Sequence, residues 1–129
     1  GTKTPFAFGD CLSANDANIN GEWSFSDCLT SEIYREKTIK VGSFKPNSFG
    51  LYDMHGNVAE WVHDWYDSNY YKNSTANNPK GPASGKKRIH RGGAIYLLAG
   101  ANYCRSAFRH QHTPDYRSDS VGFRLVMQY

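Results

Sequence analysis

The sequence predicts an α+β fold of short strands, long loops and few helices. Three observations predict it. The apolar extended stretches are short, and polar segments rich in Asn, Asp, Gly, Ser and Pro separate them. Little of the chain carries a sustained helical period. Aromatic residues reach 15% of the chain against 39% hydrophobic residues in all. A few large rings therefore bury much of the apolar area, and a disordered chain, which is poor in aromatics, is excluded. At 129 residues the chain suffices for one domain, with a core large enough that no covalent staple is obligatory.

The elements follow in order. Thr4–Gly9 reads as a short extended piece with Phe6 and Phe8 as anchors. Asp16–Gly21 is turn or wrapped-loop chemistry. A helix is weakly favoured over Ser31–Glu36. Thr38–Phe44, with Ile39, Val41 and Phe44, reads as extended. Lys45–Gly50 is a turn. In Leu51–Trp65 two periods compete: Val58, Trp61, Val62 and Trp65 fit a helical face, whereas Trp61, His63 and Trp65 alternate as in a strand. Gly56-Asn57 is a tight-turn signal entering that segment. Asp67–Lys87 reads as a long polar surface connection. Arg88–Ile95 and Val121–Met127 read as strands, with an irregular stretch between them. His63, between two tryptophans, is expected to pack in the core.

Net charge is +3 and no run of Lys or Arg forms a nucleic-acid arm. No apolar stretch is long enough for a membrane span, and the first residues carry no signal peptide. Cys11, Cys28 and Cys104 are too few for a disulfide framework and lack zinc spacing. Cys11 with Cys28 can close a loop in an oxidising compartment. Buried free thiols are the slightly favoured reading. Gly92-Gly93 permits a close backbone approach or positive φ. Arg105, Arg109, Arg117 and Arg124 can fork onto carboxylates such as Asp64 or Asp115 and pin irregular backbone.

Four pieces, in order, carry a resemblance: Thr4-Pro5-Phe6-Ala7-Phe8-Gly9; Pro46 through Trp61, including Gly50-Leu51-Tyr52-Asp53-Met54-His55-Gly56-Asn57-Val58; Arg91-Gly92-Gly93; and Arg105-Ser106-Ala107-Phe108-Arg109 followed by Gly122-Phe123-Arg124. Together they resemble the formylglycine-generating-enzyme (sulfatase-modifying factor) family. The resemblance covers nearly the whole chain and implies a C-type-lectin-like fold. It implies that residues 1–129 are the C-terminal part of a single domain, with an N-terminal segment completing it.

The family's oxidases bind copper through two cysteines lying between the Gly-Gly pair and the Arg-rich strand. Here Ala94–Cys104 fills that interval, and Cys104 sits too close to Arg105 to match the second cysteine. One thiol cannot make the paired soft site, so no copper is expected. A second branch uses iron held by histidines. His110 and His112 are candidate ligands there, though surface histidines are the favoured reading. The resemblance also implies structural calcium, held by carboxylate and backbone oxygens. One set maps onto Asp53, Gly56, Val58 and Glu60; in the alternative, Glu60 pairs with an arginine. A second set maps onto Asn18, Ile19, Glu32 and Tyr34.

Residues 94–120 resemble the variable region of diversity-generating-retroelement proteins. Framework residues (Gly92, Gly93, Cys104, Arg105, Ala107, Arg109, Pro114, Arg117) border an assortment of Tyr, Leu, Phe, His, Thr and Ser. Most of these are reachable from Asn codons by adenine replacement; Gln111 is not. Tyr96, Leu98, Tyr103, Phe108, His110, His112, Tyr116 and Ser118 are the expected ligand-binding residues. Tyr and Phe give rigid contact area, and Ser gives adaptable hydrogen bonding. The implied role is a non-catalytic module binding a protein or glycan ligand on another cell or particle. Such a module is surface-displayed or extracellular. The alternative is a formylglycine-generating-type copper oxidase or an iron-dependent sulfoxide-synthase-like enzyme.

Overall fold

Residues 2–96 and 100–127 are described by the structure, a computed structural model. In it the strand period prevails over the helical one after Gly56-Asn57. Both residues adopt positive φ, 78° and 66°, which turns the chain into β1 (Ala59–Trp65). The long polar connection holds one helical turn, α1 (Tyr70–Asn73). Next come β2 (Arg88–Arg91), a 3-10 helix (Gly100–Cys104), β3 (His110–His112) and β4 (Val121–Phe123). The four strands form one sheet in the order β3-β2-β1-β4. β2 is antiparallel to β1 and β3, and β4 is parallel to β1.

The loops, rather than the sheet, carry the main apolar cluster. Phe6, Leu12, Ala14, Ala17, Ile19, Ala101 and Cys104 are buried together, with Phe25 and Ile33 packed against them. Phe6 meets Phe25 edge to face at 5.4 Å. Phe8, the other expected anchor, is 41% exposed, because the chain reverses tightly between Phe6 and Gly9.

Several expectations are corrected. Ser31–Glu36 forms no helix; the Ser31 amide and the Ile33 carbonyl bond across to Gly21 instead. Thr38–Phe44 is not a strand. Its backbone bonds to side chains: Ile39 to Asn57 Oδ1 and Gly42 to the Asp53 carboxylate. The last strand stops at Phe123, because only Val121–Phe123 faces partners on β1. Leu125, Val126 and Met127 are exposed. Arg88–Ile95 shortens to Arg88–Arg91, where the glycine pair turns the chain. His63 is exposed, not packed in the core. A register irregularity between Trp61 and Trp65 breaks the alternation at that point.

Cys11 and Cys28 form a disulfide across a sequence separation of 17, correcting the free-thiol reading for that pair. Cys104 is free and buried, as that reading holds for it. Gly93, at φ 72°, packs so tightly on Cys104 that a Cβ there would lie 2.4 Å from Sγ.

Candidate functional site

The site is built on β2, β3 and the loops flanking β3. Alternation along a strand points every second side chain to one face. On β3 this places His110 and His112 together, with Gln111 reversed. The register pairs His110 with His90 and His112 with Arg88. His90, His110 and His112 therefore share a face, and their nearest ligand-capable atoms lie within 4.8 Å of one another. His90 Nε2 and His110 Nδ1 are 3.1 Å apart. From the other side, Trp61 of β1 meets the His90 ring edge to face at 5.3 Å.

A strip of rings continues from this cluster. Tyr103 meets Phe108 at 4.8 Å between centroids, and Phe108 stacks toward His110 at 6.1 Å. His110 neighbours His112 at 5.1 Å, and His112 stacks on Tyr116 at 3.7 Å, nearly parallel. All five are half-buried. Each ring is thus partly covered by its neighbours and partly open to solvent.

The structure thus brings together Tyr103, Phe108, His110, His112 and Tyr116. Tyr96 stands apart, exposed, with its hydroxyl donating to the Glu36 carbonyl at 2.9 Å. Ser118 is engaged locally, its hydroxyl 2.7 Å from that of Ser120. Leu98 lies outside the described residues. Sequence reasoning missed His90. Nothing in linear spacing signals it, because its place beside His110 depends on strand pairing.

Burial and neighbouring charge act on the histidines. Desolvation first, then His110 and His112, push His90 down to about 4. Desolvation, then His112 and Lys87, lower His110. Burial outside water pushes the Cys104 thiol up to about 12, so it is no ready thiolate.

Arginines frame the strip. Arg105 donates to the Asn102 carbonyl at 3.1 Å and lies 5.6 Å from the Phe25 ring and 5.9 Å from the Phe108 ring. Arg109 approaches Asp64 at 3.8 Å. The pKa of Asp115 is lowered chiefly by a hydrogen bond from the Thr113 side chain.

The two implied calcium sets differ in fit. Asp53, Gly56, Val58 and Glu60 line one cleft of about 380 Å³ together with Arg124. Arg124 grips both carboxylate oxygens of Glu60, at 2.8 and 2.9 Å. That is the arginine pairing the sequence also allowed, and it places a cation where the ion would sit. In the other set, Asn18 and Ile19 are buried, and Asn18 Oδ1 has no hydrogen-bond partner. An orphaned buried oxygen is an atom that a hard cation satisfies. Glu32 is exposed and Tyr34 half-buried.

These features define a class first: an α+β domain whose irregular loops carry the core and whose small sheet presents a strip of rings. The chain belongs to the sulfatase-modifying factor family; residues 2–129 match its model, described as the Sulfatase-modifying factor enzyme 1-like domain. It is 37% identical to the formylglycine-generating enzyme of Mus musculus over 96% of this chain and 34% of that protein. It is likewise 37% identical to that of Streptomyces coelicolor, over 94% of this chain and 40% of that protein. Among solved structures, Treponema denticola variable protein 1 superposes with a TM-score of 0.67 at 35% identity, covering 84% of this chain and 34% of that one. PvdO from Pseudomonas aeruginosa superposes at 0.62 with 31% identity, over 85% of this chain and 38% of that one. The chain spans between 34% and 40% of the length of these relatives.

Proposed function

We propose that the chain is a ligand-binding, C-type-lectin-like module whose recognition surface is the ring strip Tyr103–Phe108–His110–His112–Tyr116. The single observation that carries this reading is the continuity of those five half-buried rings. Rigid aromatics lose little side-chain entropy on binding and supply large contact area. Buried Cys104 and the Arg105 guanidinium back the strip, so its contacts start from a fixed scaffold. Likeness to a solved variable protein supports the same reading. The mixture of Tyr, Phe and His favours a protein partner on another cell or particle, with a glycan as the other arm of the test. Calcium fits this role as a structural ion at the Asn18 set, where the orphaned oxygen supports it.

The test uses a panel of extracellular proteins and a panel of glycans, probed with the protein and with Tyr103→Ala, Phe108→Ala and Tyr116→Ala. Specific binding lost in the variants at an unchanged melting temperature is the expected result. Unfolding of all three variants would instead make the strip core.

A second reading, an oxidase, is favoured by identity to the formylglycine-generating enzymes. Against it, Cys11 and Cys28 are joined to each other and Cys104 is a single buried thiol. Turnover of a cysteine-containing peptide with added copper would establish the second reading and displace the first.

A further inference from the structure

We propose that His90, His110 and His112 form a three-imidazole site for a borderline divalent cation of the zinc type, with a fourth coordination position open toward the ring strip. Strand geometry carries the inference. A His-x-His pair on β3 and a directly cross-strand His90 on β2 are the minimum that puts three imidazoles on one sheet face. Among the described residues, this is the one group of three or more His, Cys, Asp or Glu side chains with ligand atoms so placed.

The distances fit the chemistry. Zinc–nitrogen bonds of about 2.0–2.1 Å in a tetrahedron set neighbouring nitrogens about 3.3 Å apart. His90 Nε2 and His110 Nδ1 already stand 3.1 Å apart. The widest separation in the group is 4.8 Å, so a side-chain rotation moving one nitrogen by about 1.5 Å completes the triangle. Three protein nitrogens leave one tetrahedral position for water or a ligand atom. Imidazole is a borderline donor that suits zinc.

The surroundings fit as well. His90 is 5% exposed and His110 and His112 are half-buried, so the site has a dry floor and an open mouth. Trp61 and Tyr116 flank it with ring contacts to His90 and His112. Of the two cations nearby, Lys87 acts on His110, while Arg88 is committed elsewhere: it lies 3.6 Å from the Trp65 ring centroid and donates to the His63 carbonyl. The proposal does not depend on the strip's recognition role, since the metal alone is the probe.

The experiment titrates metal-stripped protein with zinc chloride by calorimetry in a non-coordinating buffer, for wild type, His110→Ala, His112→Ala and His63→Ala. His63 is exposed and is not one of the three grouped histidines. Binding at a single site is expected, weakened on the order of 100-fold by either cluster substitution and unchanged by His63→Ala. Binding as tight in His110→Ala or in His112→Ala as in wild type overturns the proposal. A second measurement needs no variant: cobalt(II) added to wild type should give the intense visible bands of a tetrahedral site. The weak spectrum of hydrated cobalt would equally overturn it.

Discussion

His55 holds the carbonyl of Cys104 at 2.7 Å through Nδ1 while its Nε2 receives the Ala7 amide at 3.0 Å. An amide N–H can only donate, so Nε2 is the bare nitrogen and Nδ1 carries the proton. One neutral imidazole thereby ties the Phe6–Gly9 reversal, the Gly56-Asn57 turn and the 3-10 helix together.

That bond scheme makes stability depend on pH. Desolvation lowers the pKa of His55, and His90 falls from 6.5 to about 4. The unfolded chain therefore takes up protons first as pH falls below about 6.5. Stability is full above that value, declines down to about pH 4, and changes no further from His90 below it. His90, His110 and His55 are all lowered, so each adds a loss in the same direction across the window. Urea unfolding at about pH 7.5 and about pH 4.5 measures this. Equal midpoints at the two would contradict the neutral assignments.

The disulfide offers a separate handle on the loop-borne core. Cys11 and Cys28 are 17 residues apart, and closing a loop of that size restricts the unfolded chain by about 3 kcal/mol. Cys11→Ser with Cys28→Ser should lower stability by that order, with the sheet's circular dichroism retained. Cys104 is fully buried, so the native protein should react with Ellman's reagent only after unfolding. Rapid native labelling would show the 3-10 helix to be open.

How much of this was legible follows from how local each signal is. The Gly56-Asn57 turn announced β1, because the positive φ it needs is written in two adjacent residues. Most of the ring strip was legible from the cluster of Tyr, Phe and His after Cys104. The three residues of β3 are too few to show a period, so His-x-His looked like surface loop. His90 joined them only through β2–β3 pairing, which is nonlocal. Likewise Leu125-Val126-Met127 looked like strand, but the pairing with β1 ends at Trp61 and Phe123, where the register irregularity of β1 begins. The Cys11–Cys28 pairing was open for the same reason: spacing does not fix which thiols meet.

Gly93 has no room for a side chain. Its φ of 72° is strained for any side chain, and a Cβ would stand 2.4 Å from Cys104 Sγ and 3.1 Å from its Cα and N. Gly93→Ala should cost more than about 3 kcal/mol, combining left-handed strain with overpacking. Removing the sulfur with Cys104→Ala relieves one contact and leaves the backbone ones. The double variant should therefore be more stable than the two separate losses sum to, yet still less stable than Cys104→Ala alone. Strict additivity in denaturant melts would show that the glycine and the thiol do not touch.

Calcium separates the two oxygen sets by their present partners. Glu60 already has both oxygens on Arg124, while Asn18 Oδ1 has none. An ion bound only by the folded chain stabilises it by about 2.7 kcal/mol at one hundred times its dissociation constant. The melting temperature should thus rise with added calcium and return with a chelator. Asn18→Ala should flatten that dependence, whatever it does to the starting stability, because it removes the orphaned ligand atom. Glu60→Gln should keep the dependence, losing only the exposed-pair contribution of about 1 kcal/mol or less. If Glu60→Gln abolishes the calcium response while Asn18→Ala preserves it, the ion belongs to the Asp53 set and Arg124 must move aside to admit it.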